Sequence, residues 1–282
     1  MRKLLIALAV LAAIGAAVFF SLPAIVDGRM NAVEAPPPYT VSPRAQALHQ
    51  QLFVADLHDD VLLWPRHLLK RYERGHTDLP RLQAGGVSLQ VFSTVTKTPR
   101  GINFDRNAAD SDNITLLAIG QLWPVRTWGS LLERALHQGQ KLHEAANASG
   151  GQLQVVASQA QLAAAPQGGL PAAGQRVIAV LGTEGLHPLE GELENIDRMA
   201  AAGFRVMGLT HFFDNEVGGS AHGLQQGGLT PFGRQVVQRL QEKRLIVDLA
   251  HASPKVIDDV LAMTRRPVLV SHTGVQASCR GP

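Results

Sequence analysis

Short aliphatic and β-branched runs alternate with amphipathic stretches over most of the chain. Six runs have the length and composition of buried strands, and they lie at residues 52–57, 87–95, 177–181, 205–209, 245–248 and 268–270. Near-continuous apolar strands are typical of a parallel sheet whose faces are covered by helices. The pattern therefore predicts an α/β fold, either closed as a barrel or open as a doubly wound sheet.

The stretches between these runs carry helix start signals. A Thr-Pro pair at 230–231 and a Ser-Pro pair at 253–254 each supply an N-cap and a first-turn proline. Residues 105–148 are predicted to be mostly helical, and the Gly- and Pro-rich segment 163–175 is predicted to be a surface loop. No Gly-rich phosphate-binding motif follows the first strand, which weakens the dinucleotide-binding version of the open sheet.

The N-terminus has the composition of a membrane-inserting segment. Two cations, Arg2 and Lys3, precede residues 4–26, which are free of charged side chains. A run of this length can cross a bilayer as a helix, and the leading cations place the N-terminus in the cytoplasm. Small residues around 32–35 keep cleavage open, so the segment is interpreted as a signal anchor or a signal peptide. Either interpretation predicts an exported protein, on the periplasmic or extracellular side of the membrane.

Composition divides the chain into three parts and excludes several partners. We expect a signal anchor or signal peptide at 1–27, a Pro-rich linker at 28–45 and one globular domain at 46–282. The net charge is +3, and the basic residues are scattered without a stripe, so a nucleic-acid partner has little support. The single cysteine excludes an intrachain disulfide framework.

Ionisable side chains follow five of the apolar runs, at the point where each predicted strand ends. These side chains are His58, Asp60, Glu184, His211, His251 and His272. All strands of a parallel sheet end on the same side, which is where (β/α)₈ barrels carry their active sites. We therefore expect the six side chains to converge, and we favour the barrel over the open sheet.

Imidazoles and carboxylates without thiolates are the donor set that suits Zn²⁺ and similar divalent ions. Four histidines and two acids exceed the three protein ligands of one catalytic zinc, so two ions bridged by a carboxylate fit better. Such a pair favours hydrolysis. His187 and His222 are weaker candidates near the site, and the remaining histidines at 49, 67, 76, 137 and 143 are interpreted as surface residues.

The stretch "VADLHDD", residues 54–60, crowds three aspartates around one histidine. Side chains at i and i+2 of a strand point the same way. Asp56, His58 and Asp60 are therefore predicted to face the site together, with Asp56 orienting the metal ligands. Asp59 is predicted to point away and to be dispensable.

Five motifs then identify a family resemblance. "VADLHDD", "GTEG", "LTHFFDNEVGGSAHG", "LIVDLAHAS" and "PVLVSHTGVQASCRGP" occur in this order. Together they resemble the membrane dipeptidase (renal dipeptidase-like) family of zinc peptidases, from about residue 46 to the last residue. The resemblance implies a (β/α)₈ barrel of the metal-dependent hydrolase kind with a binuclear zinc centre. It also implies cleavage of dipeptides, many of them with a D-residue at the C-terminal position.

The resemblance assigns a role to each ligand position. His58 and Asp60 are expected to hold one zinc ion, and His251 with His272 the second. Glu184 is expected to bridge the two ions. A hydroxide that also bridges them would attack the peptide carbonyl.

His211 corresponds to the family's non-ligand histidine. The resemblance implies that it contacts the substrate and stabilises the tetrahedral oxyanion. Family members often form dimers, so the resemblance is compatible with a homodimer, although no interface is recognisable in the sequence.

One departure from the family concerns the C-terminal end. The family continues past "SHTGVQASCRGP" with a basic residue for the substrate carboxylate and with a late aspartate for proton transfer. This sequence stops at Pro282, so we expect an incomplete barrel of about six of the eight βα units. Arg280 is a poor substitute for the basic residue, and we expect little peptidase activity from this chain alone. The alternatives are a binuclear hydrolase of another substrate class (lactone, phosphoester or deaminase) and a non-catalytic metal-binding remnant.

Overall fold

The fold is built around a parallel sheet. A computed structural model describes residues 1–35, 37–164 and 176–274. Its strands are β1 (Val54–Asp56), β2 (Val87–Phe92), β3 (Leu153–Val155), β4 (Val177–Thr183), β5 (Phe204–Gly208) and β6 (Ile246–Asp248). Every strand pair is parallel, in the order β1-β2-β4-β5-β6. This arrangement is an α/β half-barrel, which confirms the predicted class; the number of βα units in the whole barrel stays a prediction.

Helices connect the strands and cover the sheet. They are α1 (Arg2–Met30), α2 (Pro43–His49), α3 (Leu79–Ala84), α4 (Ile114–Gly120), α5 (Arg126–Gly129), α6 (Leu131–Ala148), α7 (Gln159–Ala164), α8 (Asn195–Ala201), α9 (Pro231–Glu242) and α10 (Pro254–Met263). Two 3₁₀ turns lie at Val61–Leu63 and His187–Leu189. The main core of aliphatic and aromatic side chains joins the sheet to α3, α6, α8, α9 and α10, and a smaller cluster packs against α4.

Strand β4 lies in the middle of the sheet and has three neighbours. It pairs with β2 through residues 178–181, with β3 through 177–179 and with β5 through 181–183. β3 therefore accompanies the beginning of β4, and β5 accompanies its end. The residue that directly follows β4, Glu184, is thus fixed by ladders on both sides.

Two strand predictions differ from the structure. β3 was not predicted, because its three residues include a glutamine and form no apolar run. The predicted strand at 268–270 is reduced to an isolated bridge between Leu269 and Asp248. Five of the six predicted runs therefore form strands, and the sixth strand found, β3, was not predicted.

The predicted helix starts at 230 and 253 are confirmed. Thr230 Oγ1 accepts a hydrogen bond from the Gly233 N–H at 2.9 Å, and Ser253 Oγ accepts one from the Val256 N–H at 3.1 Å. The predicted helix at 105–148 begins only at Ile114. Residues 105–113 are irregular, since polar side chains such as Asn103 bond the local backbone instead.

The predicted loop at 163–175 lies outside the described residues, apart from its first two, which end α7. Cys279 and Arg280 lie outside the described residues as well.

Arg134 of α6 joins the loop after β2 to helices α4 and α5. It is almost completely buried, at 1% exposure. Its guanidinium donates hydrogen bonds of 2.6–2.9 Å to Thr96 O, Asp112 Oδ2, Thr115 Oγ1, Thr127 O and Trp128 O. A buried cation is tolerated only when its donors are satisfied, and here the acceptors surround it.

We predict that Arg134→Met destabilises the fold by about 3–5 kcal/mol, because it leaves a partly buried carboxylate and several carbonyls without their donor. Arg198→Ala is the matched control, since the Arg198 side chain is 53% exposed in its pair with Glu133. The control should cost less than about 1 kcal/mol. Urea unfolding of both variants measures the difference, and equal losses would contradict the assigned role of Arg134.

Candidate metal centre

The ends of the parallel strands bring the six predicted side chains into one cluster. His58 and Asp60 lie in the turn after β1, and Glu184 directly follows β4. His211 follows β5, His251 follows β6, and His272 follows the bridge at Leu269. All of them lie beyond the carboxyl ends of their strands, on the side where the sequence predicted a site.

Glu184 lies at the centre of the cluster. Its side chain is 7% exposed, and four imidazoles direct their Nε2 atoms at its carboxylate. Glu184 Oε1 lies 3.0 Å from His251, 3.5 Å from His58 and 3.5 Å from His272. Glu184 Oε2 lies 3.1 Å from His211. Both carboxylate oxygens are therefore approached by ring nitrogens.

The donor atoms are arranged to bind a divalent cation rather than to form hydrogen bonds with one another. His251 Nε2 and His272 Nε2 lie 2.9 Å apart, and both also approach the same oxygen of Glu184. Asp60 Oδ1 is buried and has no hydrogen-bond partner among the described residues. Converging ring nitrogens with an unpartnered carboxylate oxygen are the arrangement that Zn²⁺ and related ions bind.

Protonation states in the cluster agree with a cation site. Burial, reinforced by the charge of Asp60, raises the pKa of Glu184 well above its usual range. Burial and the neighbouring histidines lower the pKa of His272 to about 4, and burial with the nearby His58 lowers that of His251 to about 4. Both rings are therefore neutral near pH 7, which is the metal-ligating form.

His58 is the exception within the cluster. Burial acts to lower its pKa, but the hydrogen bond and charge of Asp60, with the charge of Glu184, raise it to about 9. A proton on His58 offsets the negative charge of Asp60 and Glu184, as a bound cation would do in its place. Proton and metal therefore compete for this ring.

The donor atoms that lie close together form two groups, and Glu184 belongs to both. One group is His58, Glu184 and His272, and the other is Glu184, His211 and His251. The resemblance instead paired His58 with Asp60 and His251 with His272. Both groupings keep Glu184 as the shared carboxylate, and the ligands of each ion stay a prediction.

The expected alternation of the aspartates in 54–60 is wrong, because β1 ends at Asp56. Asp56 is exposed, and its Oδ1 accepts a hydrogen bond from the backbone N–H of His58 at 3.1 Å, so it contacts the main chain and not the ring. Asp59 does not point away. Its Oδ1 accepts the Val61 N–H at 2.7 Å, and burial raises its pKa to about 6.

Asp248 is a supporting residue that sequence reasoning missed. It is the last residue of β6, and its Oδ1 accepts hydrogen bonds from Ala250 N at 3.1 Å and Ser271 N at 3.0 Å. It thereby links the segment that carries His251 to the segment that carries His272. The only sequence signal was an acid interrupting the apolar run "LIVDLA".

Backbone strain marks the same region. His251 has φ of +61°, a left-handed conformation that a non-glycine residue rarely adopts. Strain of this kind persists where the surrounding structure determines the conformation, and it concentrates at functional sites.

The two weaker candidates lie beside the cluster. His187 is buried against the Phe213 ring at 4.5 Å between centroids, and burial lowers its pKa to about 3. The His222 ring lies 5.2 Å from that of His251, and its Nδ1 bonds Phe104 O at 2.7 Å. Neither belongs to the two donor groups described above. Of the five histidines interpreted as surface residues, His76 lines the cleft.

The cluster opens into a cleft of about 550 Å³. Apolar side chains form much of its wall, among them Trp64, Ile102, Phe104 and Phe212. The motif after β5 contributes Phe212 to this wall. Further along the motif, the Asp214 carboxylate accepts hydrogen bonds from backbone N–H groups of residues 220, 225 and 226.

The family comparison agrees with this geometry. The family described as membrane dipeptidase (peptidase family M19) matches residues 42–282, which is most of the chain. The chain belongs to this family. The match begins four residues before the boundary expected from the motifs, and it confirms the resemblance.

Curated relatives of this family member match it over part of its length. Dipeptidase aclJ of Aspergillus oryzae is 34% identical over 106 residues, which are 37% of this chain and 25% of that protein. An uncharacterized dipeptidase of Schizosaccharomyces pombe is 31% identical over 102 residues, 35% of this chain and 24% of that protein. These matches therefore span about a quarter of each relative.

Solved structures share the fold. The probable dipeptidase PvdM from Pseudomonas aeruginosa is 20% identical with a TM-score of 0.63, over 84% of this chain and 57% of that chain. A metallopeptidase from Rhodobacter sphaeroides, solved with a phosphinate mimic of the dipeptide L-Ala-D-Ala, is 22% identical with a TM-score of 0.61. That match covers 80% of this chain and 66% of the other chain.

We predict that Asp60→Ala lowers the zinc content of the purified chain from about two ions to about one or fewer, because it removes a ligand oxygen. Asp59→Asn is the matched control, since its amide oxygen can still accept the Val61 N–H. The control should keep the zinc content of the unmodified chain. Metal analysis by plasma mass spectrometry after dialysis measures both, and a loss confined to Asp59→Asn would contradict the assignment.

Proposed function

We propose that this family member hydrolyses dipeptides with two zinc ions that share the Glu184 carboxylate. The observation that carries the proposal is the position of that carboxylate, which both donor groups share at the base of the cleft. Family membership supports the metallo-dipeptidase activity. The dipeptide mimic held by the Rhodobacter sphaeroides relative supports a small peptide substrate with a C-terminal D-residue.

The chain's own residues would hold both ions. Following the motif assignment, His58 and Asp60 would hold one ion, and His251 with His272 would hold the other. When bound, zinc acidifies water and polarises the carbonyl of the scissile bond. Glu184 contributes a negative charge whose burial two cations would offset.

His211 is the residue that we assign to the substrate. It is 4% exposed, and burial together with the surrounding histidines lowers its pKa well below the usual value, so the ring is neutral. Its Nε2 lies 3.1 Å from Glu184 Oε2, which favours the tautomer with the proton on Nε2. When bound cations neutralise Glu184 in its place, this N–H would be free to donate to the carbonyl oxygen as negative charge develops there.

The size of the cleft favours a small substrate. Its volume of about 550 Å³ lies within the usual range for small-molecule sites. Trp64, Phe104 and Phe212 line it and give it an apolar wall beside the proposed metal ligands.

The proposal includes an exported, membrane-anchored location. Among the described residues, α1 is the helix that is long and apolar enough to cross a bilayer. The cations Arg2 and Lys3 at its start favour a cytoplasmic N-terminus and an exported catalytic domain.

We predict that His211→Ala lowers kcat on an L-Xaa-D-Xaa dipeptide by about 10²–10³-fold, because it removes a hydrogen-bond donor to the developing oxyanion. The zinc content should stay unchanged, since His211 is assigned as a non-ligand. A loss of zinc in this variant would contradict the assignment and would make His211 a ligand, as the proximity of His211 to Glu184 and His251 permits.

A substrate panel tests the reaction class. L,L- and L,D-dipeptides, tripeptides, a lactone, a phosphodiester and an aminopurine are offered to the zinc-loaded chain. Hydrolysis of dipeptides in preference to the others, even at the low rate expected from the sequence, supports the proposal. Turnover of only a lactone, phosphodiester or aminopurine would contradict it in favour of another hydrolase class, and zinc binding without any turnover would favour the non-catalytic remnant.

A further inference from the structure

The end of α1 is fixed to the catalytic domain by a buried ion-pair cluster. Asp27 is fully buried, although it directly follows the charge-free residues 4–26. Its carboxylate accepts hydrogen bonds from Arg66 Nε at 3.1 Å, Arg74 Nε at 2.6 Å and Asn31 Nδ2 at 2.9 Å. The expected linker from residue 28 therefore begins with three helical residues held against the domain.

Helix α4 packs beside α1 at a defined level. A Cβ atom on Gly120, at the end of α4, would lie 2.8 Å from Pro23 Cγ and 3.6 Å from Phe19 O. The two helices therefore approach so closely that only glycine fits at this position. The contact joins the end of α4 to the apolar part of α1.

This contact determines the depth of α4 relative to a bilayer. The charge-free segment ends at Val26, and Pro23 and Phe19 precede it by about 5 and 10 Å along the helix axis. If α1 spans a bilayer, the end of α4 lies level with the last turns of the spanning segment. The catalytic domain then cannot remain above the membrane surface.

The part of the domain at this level has the chemistry of a membrane surface contact. We define the α4–α5 corner as residues 114–129. It exposes Leu122 (73%), Val125 (70%), Leu116 (54%) and Trp128 (36%). The corner contains one charged residue, Arg126, and no acid. Exposed apolar side chains with a tryptophan and a cation are typical of segments at the lipid–water interface.

We propose that the α4–α5 corner inserts into the interface of the bilayer that α1 spans, with phospholipid as its partner. The inference rests on the anchor role of α1 in the proposed function. It adds a second membrane contact and fixes the orientation of the cleft, since Met30 and Asn31 at the end of α1 also line the cleft of the metal cluster. The mouth of the cleft therefore lies at the membrane surface.

Tryptophan quenching by lipids measures this insertion. The full chain is reconstituted in phosphatidylcholine–phosphatidylglycerol vesicles that carry a spin label near the head group. Trp64 and Trp123 are buried, at 8% and 5% exposure, so Trp128 is the reporter. We expect the labelled lipid to quench the emission and Trp128→Phe to remove most of that quenching.

A charge variant and a matched control make the test specific. Leu122→Asp with Val125→Asp should abolish the quenching of Trp128 while the chain stays with the vesicles, because α1 still anchors it. Leu261→Asp, on the exposed side of α10, should leave the quenching unchanged. Circular dichroism and zinc content check that each variant is folded, including Trp128→Phe, which loses the hydrogen bond from the indole N–H to Trp123 O.

Three results would overturn the inference, and each overturns a different part of it. A chain that survives a carbonate wash on the vesicles, but whose Trp128 is not quenched, overturns the corner contact and leaves the anchor intact. A chain that carbonate releases overturns the anchor itself, and the corner contact with it. Quenching that persists in Trp128→Phe also overturns the assignment of the corner.

Discussion

The burial of the Glu184 carboxylate is the constraint on which the site depends. An isolated buried carboxylate is costly, and the imidazoles around it are largely neutral because burial lowers the pKa of His211, His251 and His272. Cations bound between these rings and the carboxylate would offset that cost. Glu184 can lie at this position because β4 is held by β2 on one side and by β3 and β5 along the other. The strand with the most pairing partners in the described sheet therefore carries the shared ligand.

The sequence predicted the site better than it predicted the sheet. Parallel strands end on one side, so an ionisable residue after each apolar run was enough to predict that His58, Glu184 and His251 converge. The run length that identifies a strand failed for β3, whose pairing with β4 depends on tertiary contact and not on its own composition. Run length also predicted a strand at 268–270, but this apolar run makes only one bridge.

Side-chain direction around "VADLHDD" was not predictable either. The i, i+2 rule holds only while the backbone remains extended, and β1 ends at Asp56. In the turn that follows, Asp59 bonds the Val61 N–H and supports the segment that presents Asp60. Asp27 was missed for a different reason, since its partners Arg66 and Arg74 lie 39 and 47 residues further along the chain.

Anomalous diffraction at the zinc edge, from crystals of the full chain grown with zinc, tests the central claim most directly. The account predicts two peaks about 3.5–4 Å apart, one on each side of the Glu184 carboxylate, with His58 and Asp60 beside one peak and His251 and His272 beside the other. A single peak, or two peaks that do not share Glu184, would contradict it.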